Sequence, residues 1–396
     1  MPQLEAPADE AGIVAAVQAA LARRKPLAVE GNGTKRTMLR PVQAAAALST
    51  RNLVGITLYS PSELIVSAWA GTPVATLEAA LAEKNQMLVA EPPDLSALLG
   101  TEGAQTLGGA VAANLSGPRR ITAGAMRDHV MGIRAVNGTG ELIRSGGRVL
   151  KNVTGLDLCK LLSGSHGTLG ILTEVTLKVL PRPESSGSLL LPGLDATAGV
   201  AALSAALGAP FGVSAAAWLP AEAAARVPEL ADHGPVALLR IEDFAPSVAY
   251  RLDRLAALLP PGHRLDDETS QSAWQAIRDA KPLEAAPDHA IWRVSVRPSR
   301  GPAVLAPAQA AGAAGFLDWG GGLAWLAGPP EAHAAITEAA RTAGGNWTLL
   351  RGPAPMRTAV DVIPPEPAPL AAITRRVKAA MDPAGILNPG RMTAGL

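Results

Sequence analysis

Cysteine is almost missing from this sequence. Cys159 is the single cysteine among 396 residues, so no disulfide can form within the chain. A cysteine-ligated zinc or iron–sulfur site needs several thiolates, and this chain cannot build one alone. An excess charge of one sign is missing too, because 35 Lys and Arg residues face 34 Asp and Glu residues and the formal net charge is +1. The composition therefore gives no electrostatic footprint for a nucleic acid or an anionic membrane.

The sequence also lacks a run of roughly 18 apolar residues that could span a bilayer. Its longest uncharged stretch, residues 196–221, is interrupted by Gly208, Pro210 and Gly212. The first ten residues, MPQLEAPADE, are acidic and contain proline, which is not the pattern of a secretory signal. With 48% hydrophobic and 17% charged residues, the composition is typical of a globular protein. We therefore expect a soluble cytoplasmic protein without a transmembrane segment.

Hydrophobic periodicity predicts both helices and strands. Apolar residues at helical spacing predict a helix over residues 9–24, with Asp9 as its N-cap. A second helix is expected just after Thr72, whose side chain can cap it. Alternation of apolar and polar residues predicts a strand over residues 171–179. The turn sequence Asn137–Gly140 predicts a hairpin.

The aromatic residues divide the chain. The segment 181–193 is rich in Pro, Gly and Ser, which predicts a boundary. Tryptophan supplies a large buried area, so the tryptophans beyond this boundary predict a second core. The segment 312–322 is glycine-rich, and it could serve either as an interface or, as we favour, as part of that core. Six of the seven tryptophans lie beyond residue 185: Trp218, Trp274, Trp292, Trp319, Trp325 and Trp347.

A first glycine loop, Gly31–Lys35, follows a short predicted strand. Bare backbone of this kind can point several N–H groups at one anion. A dinucleotide fingerprint would need a third glycine at position 36, where the chain has Arg36. The loop therefore does not match the fingerprint of a nicotinamide dehydrogenase. It also lacks the Gly-Lys-Ser/Thr sequence of a Walker-type site. Taken alone, the loop is better explained as an ordinary tight turn than as a ligand site, since short glycine motifs are weak evidence.

Two further glycine clusters follow. Gly108 and Gly109, with Asn114 and Gly117, would permit close approach of a ligand, or else packing of helices through small residues. Residues 164–170 carry three glycines and lead directly into the predicted strand, where they form either a ligand-facing turn or a plain hairpin bend. Three such clusters in one N-terminal region indicate one long ligand that touches several loops.

The ordered set of motifs is specific. "GNGT", "EPPD", "LGGAVAANLSGPRR", a glycine-rich stretch from Arg127 to Pro183 and the tail "DPAGILNPGRM" occur in this order. In this set the chain resembles the p-cresol methylhydroxylase / vanillyl-alcohol oxidase superfamily of FAD proteins, and within it the FAD-binding subunits of bacterial glycolate oxidases. The resemblance implies an α+β fold. A two-subdomain PCMH-type FAD-binding domain would occupy residues 1–184, divided at about 55/56, with a smaller α+β cap domain at 185–370 and a C-terminal helix and tail (371–396) that return to the FAD domain.

The resemblance also implies where FAD would lie. The pyrophosphate would sit over the first loop, the phosphates and ribityl chain along the second cluster, and the isoalloxazine edge along the third. Arg119, Arg120, Arg127 and Lys35 could offset the negative pyrophosphate, although for any one of them a solvated surface charge is slightly favoured. The full set of implied cofactor-binding residues is Gly31, Asn32, Gly33, Thr34, Lys35, Pro93, Gly108, Gly109, Asn114, Gly117, Arg127, Gly164, Gly167, Thr168, Gly170 and Ile171.

Two features of the wider family are missing. Members that attach FAD covalently use a His or Cys near these loops, and neither His166 nor Cys159 stands at such a position, so we expect noncovalent FAD. The 2-hydroxy-acid dehydrogenases of the superfamily often carry a H-x-G-D-G-N-x-H segment with a metal, and no two of the six histidines here share that spacing. We therefore expect no metal, and the catalytic residues remain unassigned.

The function implied by the resemblance is that of an FAD-binding subunit in a glycolate oxidase complex, which oxidises glycolate to glyoxylate. Reduced flavin must pass its electrons on, and a chain with one cysteine has no iron–sulfur relay of its own. The implied partners are a second, catalytic flavoprotein subunit and an iron–sulfur subunit. Two alternatives stay open: a self-sufficient FAD-dependent dehydrogenase of a small 2-hydroxy acid, and a non-catalytic scaffold subunit.

Overall fold

The first part of the chain forms a small parallel sheet covered by one helix. The structure, a computed structural model, describes residues 3–44, 46–147 and 156–396. Strand β3 lies between β1 and β2, and both pairings are parallel. The helix begins as predicted, because the Asp9 carboxylate accepts a hydrogen bond from the Gly12 N–H at 2.8 Å. The elements are β1 (Gln3–Glu5), α1 (Glu10–Ala22), β2 (Leu27–Glu30) and β3 (Ala46–Ser49).

The second part is an antiparallel sheet of five strands in the order β4-β5-β9-β7-β8. The predicted alternation along β9 is confirmed, since its Val175 and Leu177 are buried while Thr176 and Lys178 are half-buried. The elements are β4 (Ile56–Ser60), β5 (Ile65–Trp69), α2 (Val74–Ala82), β6 (Gln86–Met87), α3 (Ser96–Leu99), α4 (Leu107–Ala112), α5 (Arg120–Ala123), α6 (Met126–His129), β7 (Val130–Val136), β8 (Leu142–Gly146), α7 (Leu158–Leu162), β9 (Ile171–Lys178) and β10 (Leu180–Pro181).

Local predictions in this part have mixed outcomes. The hairpin at Asn137–Gly140 joins β7 to β8 as predicted. The prediction that Thr72 caps α2 is wrong. Its hydroxyl bonds both the N–H and the C=O of Gly55, and the helix starts after Pro73 with no side-chain cap. Residues 148–155, which belong to the glycine-rich motif, lie outside the described residues.

The third part is an antiparallel sheet of eight strands, in the order β14-β11-β13-β12-β16-β17-β15-β18. Residues from Ser185 onward form strand β11 of this sheet, and the predicted boundary at 181–193 stays a prediction. The elements are β11 (Ser185–Pro192), α8 (Ala196–Gly208), β12 (Val213–Leu219), α9 (Ala221–Ala224), β13 (Val236–Asp243), α10 (Ala245–Leu258), β14 (His263–Leu265), α11 (Asp267–Arg278), β15 (Ala290–Ser295), α12 (Gly301–Ala310), β16 (Ala314–Asp318), β17 (Leu323–Gly328), α13 (His333–Thr342), β18 (Asn346–Arg351), α14 (Ala354–Ala359) and α15 (Ala368–Met381).

The expected second core is confirmed. All six tryptophans beyond residue 185 are buried in the hydrophobic cluster of the eight-stranded sheet. Trp319 and Trp325 belong to it, so the segment 312–322 contributes to the core. The predicted α+β class is confirmed as well, since helices cover sheets that are mostly antiparallel. The division of the chain at residues 184 and 370 stays a prediction.

A buried ion network joins the second part to the third. The Glu91 carboxylate accepts hydrogen bonds from Arg240 at 3.0 and 3.2 Å and from Arg119. Glu242 pairs with Arg119 at 2.9 Å and with Arg240 at 3.1 Å. Burial alone would raise the pKa of Glu91, but the charges of Arg240 and Arg119 outweigh it and lower that pKa to about 2. The network thus holds the two parts together with its charges matched.

The tail returns to the first sheet, next to the start of β2. After α15, Leu387 forms a parallel bridge with Leu27. The buried Lys378 ammonium donates to the Asp382 carboxylate and to the Thr168 and Leu387 carbonyls at 2.7–3.1 Å. The C-terminal residues are therefore fixed to the glycine segments of the N-terminal region.

Candidate functional site

Three glycine segments meet around one cavity. The cavity has a volume of about 540 Å³, within the range of small-molecule and cofactor sites. It is lined by the loop after β2, by the start of α4, by the turn before β9 and by two residues of the C-terminal tail. Ten of the sixteen predicted cofactor-binding residues line it: Gly31, Asn32, Gly33, Thr34, Lys35, Gly108, Gly109, Gly167, Gly170 and Ile171.

The first loop is fitted closely to the second segment. A Cβ at Gly31 would stand 2.2 Å from the Thr106 hydroxyl oxygen, so only glycine fits there. Gly33 has φ +75°, which is the left-handed region that glycine occupies without strain. The Asn32 side-chain amide donates to the Ala104 carbonyl at 2.9 Å. These contacts set the loop against the segment that leads into α4.

The second and third segments complete the walls. Gly108 is needed for packing, because its Cβ would lie 2.7 Å from that of Ala70. A Cβ on Gly109 would lie 3.1 Å from the Thr106 hydroxyl oxygen and 3.9 Å from the Lys35 ammonium. Gly167 has φ +72°, and a Cβ there would lie 2.9 Å from the Asn388 side-chain nitrogen. Bare backbone thus forms the cavity surface at the start of β9.

The cavity is electropositive. Burial lowers the pKa of Lys35 to about 8, although Asp94 opposes the shift. Burial, aided by the charge of Arg357, lowers the pKa of Arg391 to about 10. Burial together with the charges of Arg391 and Lys35 lowers the pKa of His166 to about 3, so this histidine is neutral at physiological pH. Among the described residues, neither Lys35 nor Arg391 has a carboxylate within ion-pair distance.

Sequence reasoning missed two lining residues in the tail. Asn388 accepts from the Val29 N–H at 2.8 Å and donates to the carbonyls of Val29 (3.2 Å) and His166 (2.8 Å). Arg391 donates to the carbonyls of Lys35 (2.6 Å) and Arg36 (3.1 Å). The tail "ILNPGRM" belongs to the motif set, so the sequence did mark it as part of the FAD-binding pattern. Its contact with the loops could not be predicted, because the two segments lie far apart along the chain.

The other six predicted residues, all in the described part of the chain, lie outside the cavity lining. The Asn114 side chain accepts from the Arg127 N–H at 3.0 Å, and the Arg127 side chain is half exposed. Gly117 has structural contacts, because its carbonyl accepts the Trp319 indole N–H and a Cβ on it would meet the Glu91 carbonyl at 2.5 Å.

The remaining three residues surround the same segments. The Gly164 N–H donates to the Val111 carbonyl, and Thr168 bonds Ser165 through its hydroxyl. Pro93 is buried. Of the four basic residues considered for the pyrophosphate, Lys35 alone lines the cavity. Arg119 belongs to the ion network and Arg120 lies over Trp319.

Known proteins resemble this chain along its whole length. The glycolate oxidase subunit GlcE of Escherichia coli is 34% identical over 385 residues, which is 96% of each chain. The chain belongs to the GlcE family. The glycolate oxidase subunit GlcD of Bacillus subtilis is 34% identical over 168 residues, 42% of this chain and 34% of that protein. A family model described as "FAD binding domain" matches residues 2–146.

Solved structures extend the likeness to the fold. A 4-ethylphenol oxidase from Gulosibacter chungangensis aligns over 98% of this chain and 88% of its own, with a TM-score of 0.71 at 13% identity. The implied PCMH-type fold is thereby confirmed. The relatives are FAD-linked oxidoreductases, and so is this chain. No helix among the described residues is long and apolar enough to cross a bilayer, and no group of three metal-ligating side chains occurs among them.

Proposed function

We propose that the chain binds FAD noncovalently in the cavity, with the pyrophosphate at Gly31–Lys35. The observation that carries the proposal is the meeting of three glycine segments around two cations, the half-buried Lys35 and the buried Arg391, that have no carboxylate partner among the described residues. A buried cation without a counter-charge is costly, and a diphosphate supplies that counter-charge. The residues present therefore fit the cofactor.

The walls fit a flat ring at the other end. Gly167, Gly170 and Ile171 present backbone at the start of β9, and a strand of a five-stranded sheet holds that backbone rigid. We assign the isoalloxazine edge to this wall. The six predicted residues outside the lining stay in the proposal as cofactor-binding residues with smaller contributions. Bound flavin would supply the two-electron oxidation chemistry, while this chain's residues bind and orient it. No residue is assigned as catalytic.

Noncovalent attachment is supported by the chemistry of the nearest candidates. His166 lines the cavity, but its pKa of about 3 reflects an enclosed, neutral ring. Cys159 is buried against β8, where its thiol meets the Ser145 carbonyl at 3.4 Å, and burial raises its pKa. A low pKa makes His166 a weak base and so a weak nucleophile, and Cys159 lies outside the cavity lining. Acid precipitation should therefore release all flavin into the supernatant.

We further propose that the chain is the FAD-binding subunit of a complex that oxidises glycolate, a 2-hydroxy acid, to glyoxylate. Support comes from the likeness to GlcE over the full length and from the partial likeness to GlcD. Electrons would pass to a second, catalytic flavoprotein subunit and an iron–sulfur subunit. We place the complex in the cytoplasm, with contact to the inner membrane only through partners.

The deciding experiment has two stages. First, FAD is titrated into the apo chain and into Lys35→Met, with the exposed Lys84→Met as matched control. We expect Lys35→Met to weaken FAD binding roughly tenfold or more, as for one charge-assisted contact, and Lys84→Met to bind normally. Equal affinities in all three proteins would remove the first loop from the site.

Second, the visible spectrum of the FAD-loaded chain is followed after anaerobic addition of glycolate. Flavin bands that persist alone but bleach once partner subunits are added support the proposal. Bleaching of the isolated chain would favour the self-sufficient dehydrogenase. Failure to bind FAD at all would favour the scaffold.

A further inference from the structure

A second charged site lies where α5 meets the eight-stranded sheet, apart from the glycine cavity. At its centre is Trp319, directly after β16. Trp319 is buried and has φ 53°, a conformation that is rare and strained for a bulky aromatic residue. Its indole N–H donates to the Gly117 carbonyl at 3.0 Å. The ring is therefore fixed between the N-terminal region and the sheet.

Two guanidinium groups lie over this ring. The Arg120 Cζ is 4.4 Å from the ring centroid and the Arg293 Cζ is 5.3 Å from it. Arg293 also lies 4.9 Å from the centroid of Trp325. Cation–π contacts of this kind hold a guanidinium flat against the aromatic face. One arginine comes from α5 and the other from β15, so the pair spans the boundary between the two parts.

Within the part of the chain that the structure describes, neither guanidinium forms an ion pair. Among the described residues, no hydrogen bond or ion pair reaches the side chain of Arg293 or Arg120. The Arg293 Nε is fully buried and has no hydrogen-bond partner, and its two terminal nitrogens form no hydrogen bond to any described residue. Since buried charges in proteins are normally paired, the open end of this fork is an unfilled position for hydrogen-bond acceptors.

The nearby carboxylates do not fill it. Glu91 and Glu242 are matched by Arg119 and Arg240 in the ion network. Asp128, which also acts on Arg120, pairs with Arg127 at 3.9 Å. This leaves the buried Asp318, whose carboxylate accepts the Trp319 N–H at 2.7 Å. Burial raises the pKa of Asp318 to about 7, with a further contribution from Glu91. One partly protonated carboxyl thus faces two guanidinium charges, and positive charge is in excess.

We propose that Arg293, supported by the charge of Arg120, forms a binding site for the carboxylate of a small organic acid. A planar carboxylate matches the guanidinium fork in two parallel hydrogen bonds, and a monoanion suffices to balance the excess charge. A position between two parts of a fold is a common place for a small-molecule site. The site itself follows from these residues; that its acid is a 2-hydroxy acid rests on the proposed function.

The test uses the full FAD-loaded chain and isothermal titration with acetate, which has a carboxylate but no hydroxyl to oxidise. Glycolate and chloride are titrated in parallel. We expect Arg293→Gln to weaken acetate binding by roughly 10- to 100-fold, the range for losing charge-assisted hydrogen bonds. Arg120→Gln should weaken it by a smaller factor. Arg341→Gln on α13, whose side chain is 72% exposed, is the matched control and should bind normally.

Thermal melts separate a binding role from a structural one. Acetate should raise the Tm of the wild type and leave that of Arg293→Gln unchanged, while the two melt alike without acetate. Absence of acetate binding by the wild type, equal binding by Arg293→Gln, or chloride binding as tight as acetate would overturn the proposal. FAD content is measured in every variant: loss of FAD from the wild type would overturn the proposed function, whereas normal FAD with no acetate binding would overturn this inference alone.

Discussion

Asn388 provides the sharpest test of how the cavity is held. Its side chain makes three hydrogen bonds, to the N–H and C=O of Val29 and to the C=O of His166. It is 3% exposed, so water cannot replace these bonds. At about 1 kcal/mol net for each bond, Asn388→Gly should lower the free energy of unfolding by about 3 kcal/mol. Asn388→Ala should cost about 1 kcal/mol more, because the residue has φ 42° and alanine is strained in the left-handed region.

The assay is urea unfolding of the apo chain, followed by far-UV circular dichroism. Asn52→Ala is the control, because the Asn52 side chain is exposed and, among the described residues, bonds the Ala6 carbonyl alone; it should cost less than about 0.5 kcal/mol. Each Asn388 variant should also bind FAD more weakly, since the loop after Val29 loses its anchor. A loss under about 1 kcal/mol in Asn388→Gly, with an unchanged m-value, would refute the reasoning.

Three more predictions concern the cavity and the second site. Gly167→Val should abolish FAD binding, because a branched side chain at φ +72° meets the Asn388 amide; a full flavin complement in the purified variant would contradict it. FAD affinity should fall as the pH rises through about 8, where Lys35 loses its proton, and the dependence should vanish in Lys35→Met; parallel pH profiles would rule this out. Asp318 stays protonated in the folded chain up to about pH 7 but ionises near pH 4 when unfolded, so wild-type stability falls as the pH rises from 4 to 7. Each pH unit between 5 and 7 should cost the wild type about 1.36 kcal/mol. In urea unfolding, the free energy of unfolding of Asp318→Asn should therefore rise by about 2–3 kcal/mol relative to the wild type between pH 5 and pH 8. A constant difference would show that Asp318 ionises normally.

The sequence predicted those features that depend on near neighbours. The Asp9 cap, the hairpin at Asn137–Gly140 and the alternation along β9 are set by residues a few positions apart, and all three are confirmed. The glycine clusters and the ordered motifs likewise led to the FAD-binding fold. The predicted Thr72 cap is wrong for a non-local reason, because its hydroxyl bonds the backbone of Gly55, seventeen residues earlier.

Only the tertiary structure decided which of these residues share one cavity. Asn388 binds Val29 across 359 positions, and no local pattern marks that contact. That Arg119 joins the ion network while Arg293 lies over Trp319 also depends on how two sheets pack together. Local backbone preferences act over a few residues and can be read along the chain, whereas the partner and the pKa of a buried charge depend on groups that packing brings close in space.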